Sequence, residues 1–312
     1  MECTDVIKLV EKVWSTTPPA ERRSVFSLIR KTIPNHHLVL FDGLVDNKRN
    51  GIVDNPDSKI VVLIHGIHTD GSWQRCVQQE LSTINGLHIH DLGYDVVTAI
   101  QLFGPYRSTP VNRIAREIRR IKVEEPKAKI SVIAHSFGTY IVSKILEDHP
   151  DIRFDRIIMC GAIISRAYPW DRNARELNKS RIINDVGTRD IWPVIATCTT
   201  GGYGSSGRRG FQSASVTDRY FNYKHSDFFE PKNNHIRDYW KPIIESGDIP
   251  TSDWDTKKGK TSFPILVASH PWIGRPLVFL IIFGLGILGW QYFSNPTVPK
   301  NESTHAIQSG DK

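Results

Sequence analysis

The sequence predicts an α/β protein whose central sheet is mostly parallel and carries helices on both faces. Two observations lead there. Short runs that are apolar almost throughout recur along the chain, at residues 60–64, 130–134 and 155–164, and such a run suits a strand covered on both sides, as parallel strands are. Between the runs lie longer segments of helical periodicity, such as residues 110–125 opened by Pro110, and strands alternating with helices argue for parallel pairing. A chain of 312 residues is long enough for one substantial core with appendages.

Taken in order, residues 1–36 read as an N-terminal helical segment in which Val6, Leu9, Val10 and Val13 share a face and Val25, Phe26 and Ile29 line a second helix. The main domain is expected over residues 37–250, beginning with an edge strand at residues 38–46 and a buried strand ending at His65-Gly66. Residues 95–104 read as the next strand, and residues 110–125 as an amphipathic helix. Residues 181–193 read as a short strand and a turn holding two acids, Asp185 and Asp190, and residues 215–229 as the last strand, with His225 just past its end. A helix with His235 near its start follows. Residues 199–212 are Gly-rich, but no Lys-Ser/Thr pair follows the glycines, so the stretch reads as a flexible loop near the site instead of a phosphate cradle.

The chemistry centres on residues 129–146. Ile130 to Ala134 form a strand, His135-Ser136-Phe137-Gly138 a turn, and Tyr140, Ile141, Ile145 and Leu146 the apolar face of a helix. A serine on a sharp strand-to-helix turn, flanked by small residues (Ala134 and Gly138), is the pattern of a nucleophile elbow. The helix start adds a partial positive charge and backbone N–H groups where an oxyanion would develop.

These two stretches, His65-Gly66 after its strand and Ala134-His-Ser-Phe-Gly138, resemble the α/β-hydrolase superfamily of serine esterases and lipases. The resemblance covers roughly residues 37–245 and departs in having Ala134 where a first glycine is usual. It implies Ser136 as nucleophile, Asp190 as acid with Asp185 as rival, and His225 as base with His235 in reserve. Oxyanion donors would be the N–H groups of Ile67, or its neighbour His68, and of Phe137. Residues 165–180 leave the strand where this superfamily often builds a cap, so Tyr168, Pro169 and Trp170 stand as pocket lining or as surface loop.

The net charge of +7 comes from scattered residues, with no basic helix or aromatic platform, so no nucleic acid is expected. Four cysteines, Cys3, Cys76, Cys160 and Cys198, lie far apart without C-x-x-C spacing, so neither a metal site nor a disulfide framework is expected and a reducing compartment is. No cofactor is implied. The N-terminus lacks the basic start and apolar run of a signal peptide.

Past a charged linker, residues 251–273, the composition changes. Residues 277–293 are apolar almost throughout, with Trp290 and Tyr292 near the end and no charge from Pro276 to Pro299. A bilayer span needs about 20 such residues, so residues 274–293 read as one transmembrane helix and residues 294–312 as a polar tail. Lysines and Arg275 before the span orient the hydrolase domain to the cytoplasm by the positive-inside bias. The expected protein is a single-pass membrane serine hydrolase cleaving an ester, with small-molecule or acyl-lipid esters as substrate and the bilayer as partner. A thioesterase or peptidase acting on acylated proteins, and a non-catalytic membrane-tethered module, are the alternatives.

Overall fold

The computed structural model describes residues 3–18, 21–49, 58–66, 72–92, 107–174, 177, 181–254, 267, 272–274, 276, 280, 283–287 and 290. Among these, six strands form one sheet in the order β2-β1-β3-β4-β5-β6: β1 Lys59–Ile64, β2 Leu87–Asp91, β3 Lys129–His135, β4 Ile157–Cys160, β5 Ile182–Gly187 and β6 Thr217–Phe221. Every neighbouring pair is parallel, so the C-terminal ends of all six strands point to one edge, where open α/β sheets place their sites.

The alternation of side chains divides the core in two. Ile60, Val62, Ile64, Ile130, Val132 and Ala134 face one layer with Ile114, Ile118, Ile141 and Ile145, which come from helices α5 (Ser108–Glu124) and α6 (Phe137–Asp148). Val61, Leu63, Ile133, Ile158 and Ile183 face the other layer with Trp73, Val77, Leu81 and Trp240, the first three of them on α4 (Ser72–Leu81). Both faces being dry explains why these strands read as unbroken apolar runs.

Two readings are corrected. Residues 38–46 are not an edge strand: they belong to helix α3 (Leu38–Arg49). Its buried residues, Leu40, Phe41, Leu44 and Val45, follow helical spacing, and they share a cluster with Val6 and Val10 of α1 (Cys3–Thr16) and Phe26 of α2 (Arg22–Arg30). Gly43 lets α3 lie on α5, since a Cβ there would fall 1.9 Å from Val123 Cγ1. The strand beside β1 is Leu87–Asp91, whose alternating histidines, His88 and His90, hid an edge strand with little apolar content; the strand expected at residues 95–104 lies outside the described residues.

The second correction concerns the excursions after β4 and β5. Tyr168 and Trp170 are neither exposed loop nor open lining: both are buried, with rings 4.7 Å apart, and Tyr168 Oη donates to the Ser143 carbonyl at 2.8 Å. The Gly-rich stretch is packed. A Cβ on Gly207 would meet the Ala162 nitrogen at 2.2 Å and one on Gly204 the Ser165 Cα at 2.4 Å, so these glycines serve close backbone approach.

Candidate active site

The sheet edge gathers the residues in question. Ser136 stands between β3 and α6 with φ 54° and ψ −120°, a conformation that costs a non-glycine residue about 1–3 kcal/mol. The turn is held from two sides. The Ser136 N–H donates to the Cys160 carbonyl at 3.1 Å, and the end of β1 crowds it: a Cβ on Gly66 would lie 2.8 Å from Ser136 Cβ, and one on Gly138 would lie 2.1 Å from the Ile64 carbonyl oxygen. Small residues at 66 and 138 are therefore a steric requirement of placing this serine beside β1. Phe137 is buried in the first turn of α6.

Asp190 follows β5 and is fully buried. One carboxylate oxygen accepts from His225 Nδ1 at 2.7 Å and the other from the Trp192 N–H at 3.0 Å; Arg208 Nη1 donates to its carbonyl at 2.9 Å. Because the carboxylate accepts, His225 carries its proton on Nδ1 and leaves Nε2 bare, the tautomer a general base needs. His225 itself lies between β6 and the single turn Asp227–Phe229.

The rival acid and rival base pair with one another. Asp185, inside β5, accepts from Arg219 Nε and Nη2 at 2.8 and 2.9 Å, from His235 Nε2 at 2.9 Å and from Trp240 Nε1 at 2.7 Å. Burial alone would raise its pKa, but the Arg219 charge and the hydrogen bonds outweigh burial and hold it at about 2. Burial lowers the His235 pKa despite Asp185 beside it.

Of the proposed oxyanion donors, Ile67 and its alternative His68 lie outside the described residues. Two residues at the site escaped sequence reasoning. His135 stands inside the motif and contacts His225, and Gly161, at φ 56° after β4, leaves the space where both imidazoles sit. A strand-ending glycine was the available signal for the second. Among the described residues no group of three or more His, Cys, Asp or Glu side chains is arranged to hold a metal ion.

Residues 59–181 match the family described as the alpha/beta hydrolase fold. No curated protein matches the chain. Solved structures similar to it include a poly(3-hydroxybutyrate) depolymerase from Bordetella parapertussis, 15% identical over 67% of this chain and 85% of that one, with a TM-score of 0.45. Others are the pyrethroid hydrolase PytH, 11% identical over 61% and 98% at a TM-score of 0.39, and a cutinase-like protein from Cryptococcus sp., 9% identical over 52% and 75% at 0.32. With the matched segment spanning β1 to the edge of β5 and the parallel sheet continuing through β6, the six-stranded sheet with its flanking helices fits the α/β-hydrolase fold.

Proposed function

We propose that Ser136, His225 and Asp190 form a catalytic triad that cleaves an ester through an acyl-enzyme. The observation that carries this is the 2.7 Å contact of His225 Nδ1 with the buried Asp190 carboxylate, taken together with the strained turn at Ser136. In the reaction, His225 Nε2 takes the Ser136 proton as Oγ bonds to the ester carbonyl carbon. The tetrahedral oxyanion is stabilised by the N–H groups of Phe137 and Ile67, or His68 in place of Ile67. Collapse breaks the bond to the alcohol, which leaves with the proton from His225; water, giving a proton to the same base, then attacks the acyl carbon, and collapse releases the acid as His225 returns that proton to Ser136 Oγ.

The substrate we favour is an acyl lipid, on the ground of location. Residues 274–293 are proposed as a single transmembrane anchor that keeps the hydrolase domain, residues 37–250, on the cytoplasmic side of a bilayer, with the helices of residues 1–36 beside it. No helix among the described residues is long and apolar enough to cross a membrane, and much of residues 277–293 lies outside them, so the sequence is the support: the segment is apolar, and Leu280, Phe283, Leu285, Ile287 and Trp290 are exposed. Lipid is the solvent that suits such side chains.

Labelling by a fluorophosphonate probe tests the chemistry. Ser136→Ala should lose labelling and lower ester hydrolysis by a factor on the order of 10⁴ to 10⁶, and labelling that survives in this variant would remove Ser136 from the mechanism. Full-length protein released from membranes by a carbonate wash would remove the anchor.

A further inference from the structure

The mechanism above leaves His135 without a task, although it is packed more deeply than the nucleophile it precedes. It is 4% exposed at the last position of β3. Its Nε2 lies 3.1 Å from the backbone carbonyl of His225, and the two imidazole centroids are 4.5 Å apart. A carbonyl can only accept, so Nε2 carries the hydrogen. Trp73 and Phe229 close other sides of the ring at centroid distances of 6.1 and 5.0 Å, and Nδ1 is buried with no hydrogen-bond partner.

That arrangement admits one protonation state. A second proton would set an N–H and a charge at Nδ1 with nothing to accept them, a heavy cost in a dry site. Burial first, and then the neighbouring His225 and His65, push the His135 pKa well below the usual histidine range, even though the bond to the His225 carbonyl acts the other way. Relay of a proton through His135 is excluded by the same bare Nδ1. What remains is a fixed donor aimed at the main chain of the base.

Gly161 shows how tightly the contact is built. A Cβ there would stand 2.8 Å from His225 Cε1, 2.9 Å from His225 Nδ1 and 3.2 Å from His135 Nε2. The loop bearing His225 has ties on either side of that residue, the Lys224 N–H donating to the Asp227 carboxylate at 2.9 Å and the Arg189 N–H to the Tyr223 carbonyl at 2.9 Å.

We propose that His135 is a positioning residue for the general base: its Nε2–H holds the His225 carbonyl and its ring supports the His225 imidazole, so that one loop keeps both the bond to Asp190 and a constant approach to Ser136. This rests on the triad reading given above. A neutral neighbour also leaves room for the positive charge that His225 gains during acyl transfer, which a protonated His135 would oppose.

The test uses full-length protein, p-nitrophenyl butyrate and two variants. His135→Phe keeps a flat ring without the donor; His135→Gln places an amide N–H close to where Nε2 lies. Loss of the donor should lower kcat by about 10- to 100-fold with KM nearly unchanged and shift the acidic limb of the pH profile. His135→Gln should restore most of the rate. Wild-type rate in His135→Phe, or equal impairment of both variants in step with lowered melting temperatures, would overturn the proposal. A second readout does not depend on hydrolysis: imidazole ¹⁵N shifts of the wild-type protein should show His135 still neutral, with its proton on Nε2, through the range near about 6.5 where an ordinary histidine titrates. A proton on Nδ1, or an ordinary titration, would overturn it whether or not either variant folds. If wild-type protein resists fluorophosphonate, the triad reading fails by itself, and the ¹⁵N result still decides the contact between the two histidines.

Discussion

Two carboxylate–imidazole pairs stand a few residues apart in this chain, and they are built for different ends. In one, Asp190 and His225 meet at 2.7 Å with the imidazole side chain 17% exposed; in the other, Asp185 and His235 meet at 2.9 Å with both side chains at 0%. The Asp190 carboxylate has one imidazole and one backbone N–H. Asp185 has an imidazole, an indole and a bidentate guanidinium. The first pair leaves an imidazole nitrogen free to act; the second spends its carboxylate binding β6 and the segment Ile236–Trp240 to β5. A short Asp–His distance is thus no mark of catalysis until the rest of the carboxylate's partners are counted.

The strongest way to break this contrast is to remove each imidazole. His225→Ala should lower kcat by a factor on the order of 10⁴ to 10⁶ with little change in melting temperature. His235→Ala should do the reverse, costing about 3 kcal/mol or more of stability because Asp185 loses a buried partner, while the folded fraction keeps its rate. A folded, inactive His235→Ala beside an active His225→Ala would exchange the two roles.

Replacing each acid sharpens the same point. Asp190→Asn should lower kcat about 10⁴-fold by presenting the wrong tautomer to the imidazole. Asp185→Asn strands the Arg219 guanidinium in the core and should cost about 3–5 kcal/mol, read by denaturant unfolding. Equal stability losses in the two variants would erase the distinction.

The smallest effect is acid sensitivity. Asp185 is held at about 2 against an ordinary 3.8, and a depressed carboxyl adds stability above its unfolded-state value that is lost as pH falls toward the folded one. Roughly 2 kcal/mol should therefore disappear between pH 4 and 2. Melting temperatures across that range should fall less steeply for Asp185→Asn than for wild type, and parallel curves would contradict the assignment.

Much of the sheet was legible because its strands are buried on both faces, which leaves runs such as Ile60–Ile64 with no polar interruption. Leu87–Asp91 sits at the sheet edge, half-buried and carrying two histidines, and no apolar run announces it. Leu38–Val45 misled in the other direction, since a short apolar stretch suits a strand or a helix until its partners in α1 and α2 are known. The site shows a similar limit. Order along the chain brings two acids to one strand and two histidines after the next, and only the position of Arg219 against Asp185 tells which acid is committed to the core. His135 is hidden for a simpler reason: a histidine beside a serine reads as part of the turn, and its bond to His225 joins residues 90 positions apart.

The backbone at Ser136 carries a last consequence. At φ 54° and ψ −120° a glycine would sit without strain, so Ser136→Gly should raise stability by a fraction of the roughly 1–3 kcal/mol now stored there while abolishing the chemistry. Heat resistance and activity thus select opposite residues at one position. A library of this chain screened only for survival on heating would be expected to enrich inactive members at residue 136 first, and a screen meant to harden the enzyme has to score turnover in the same round.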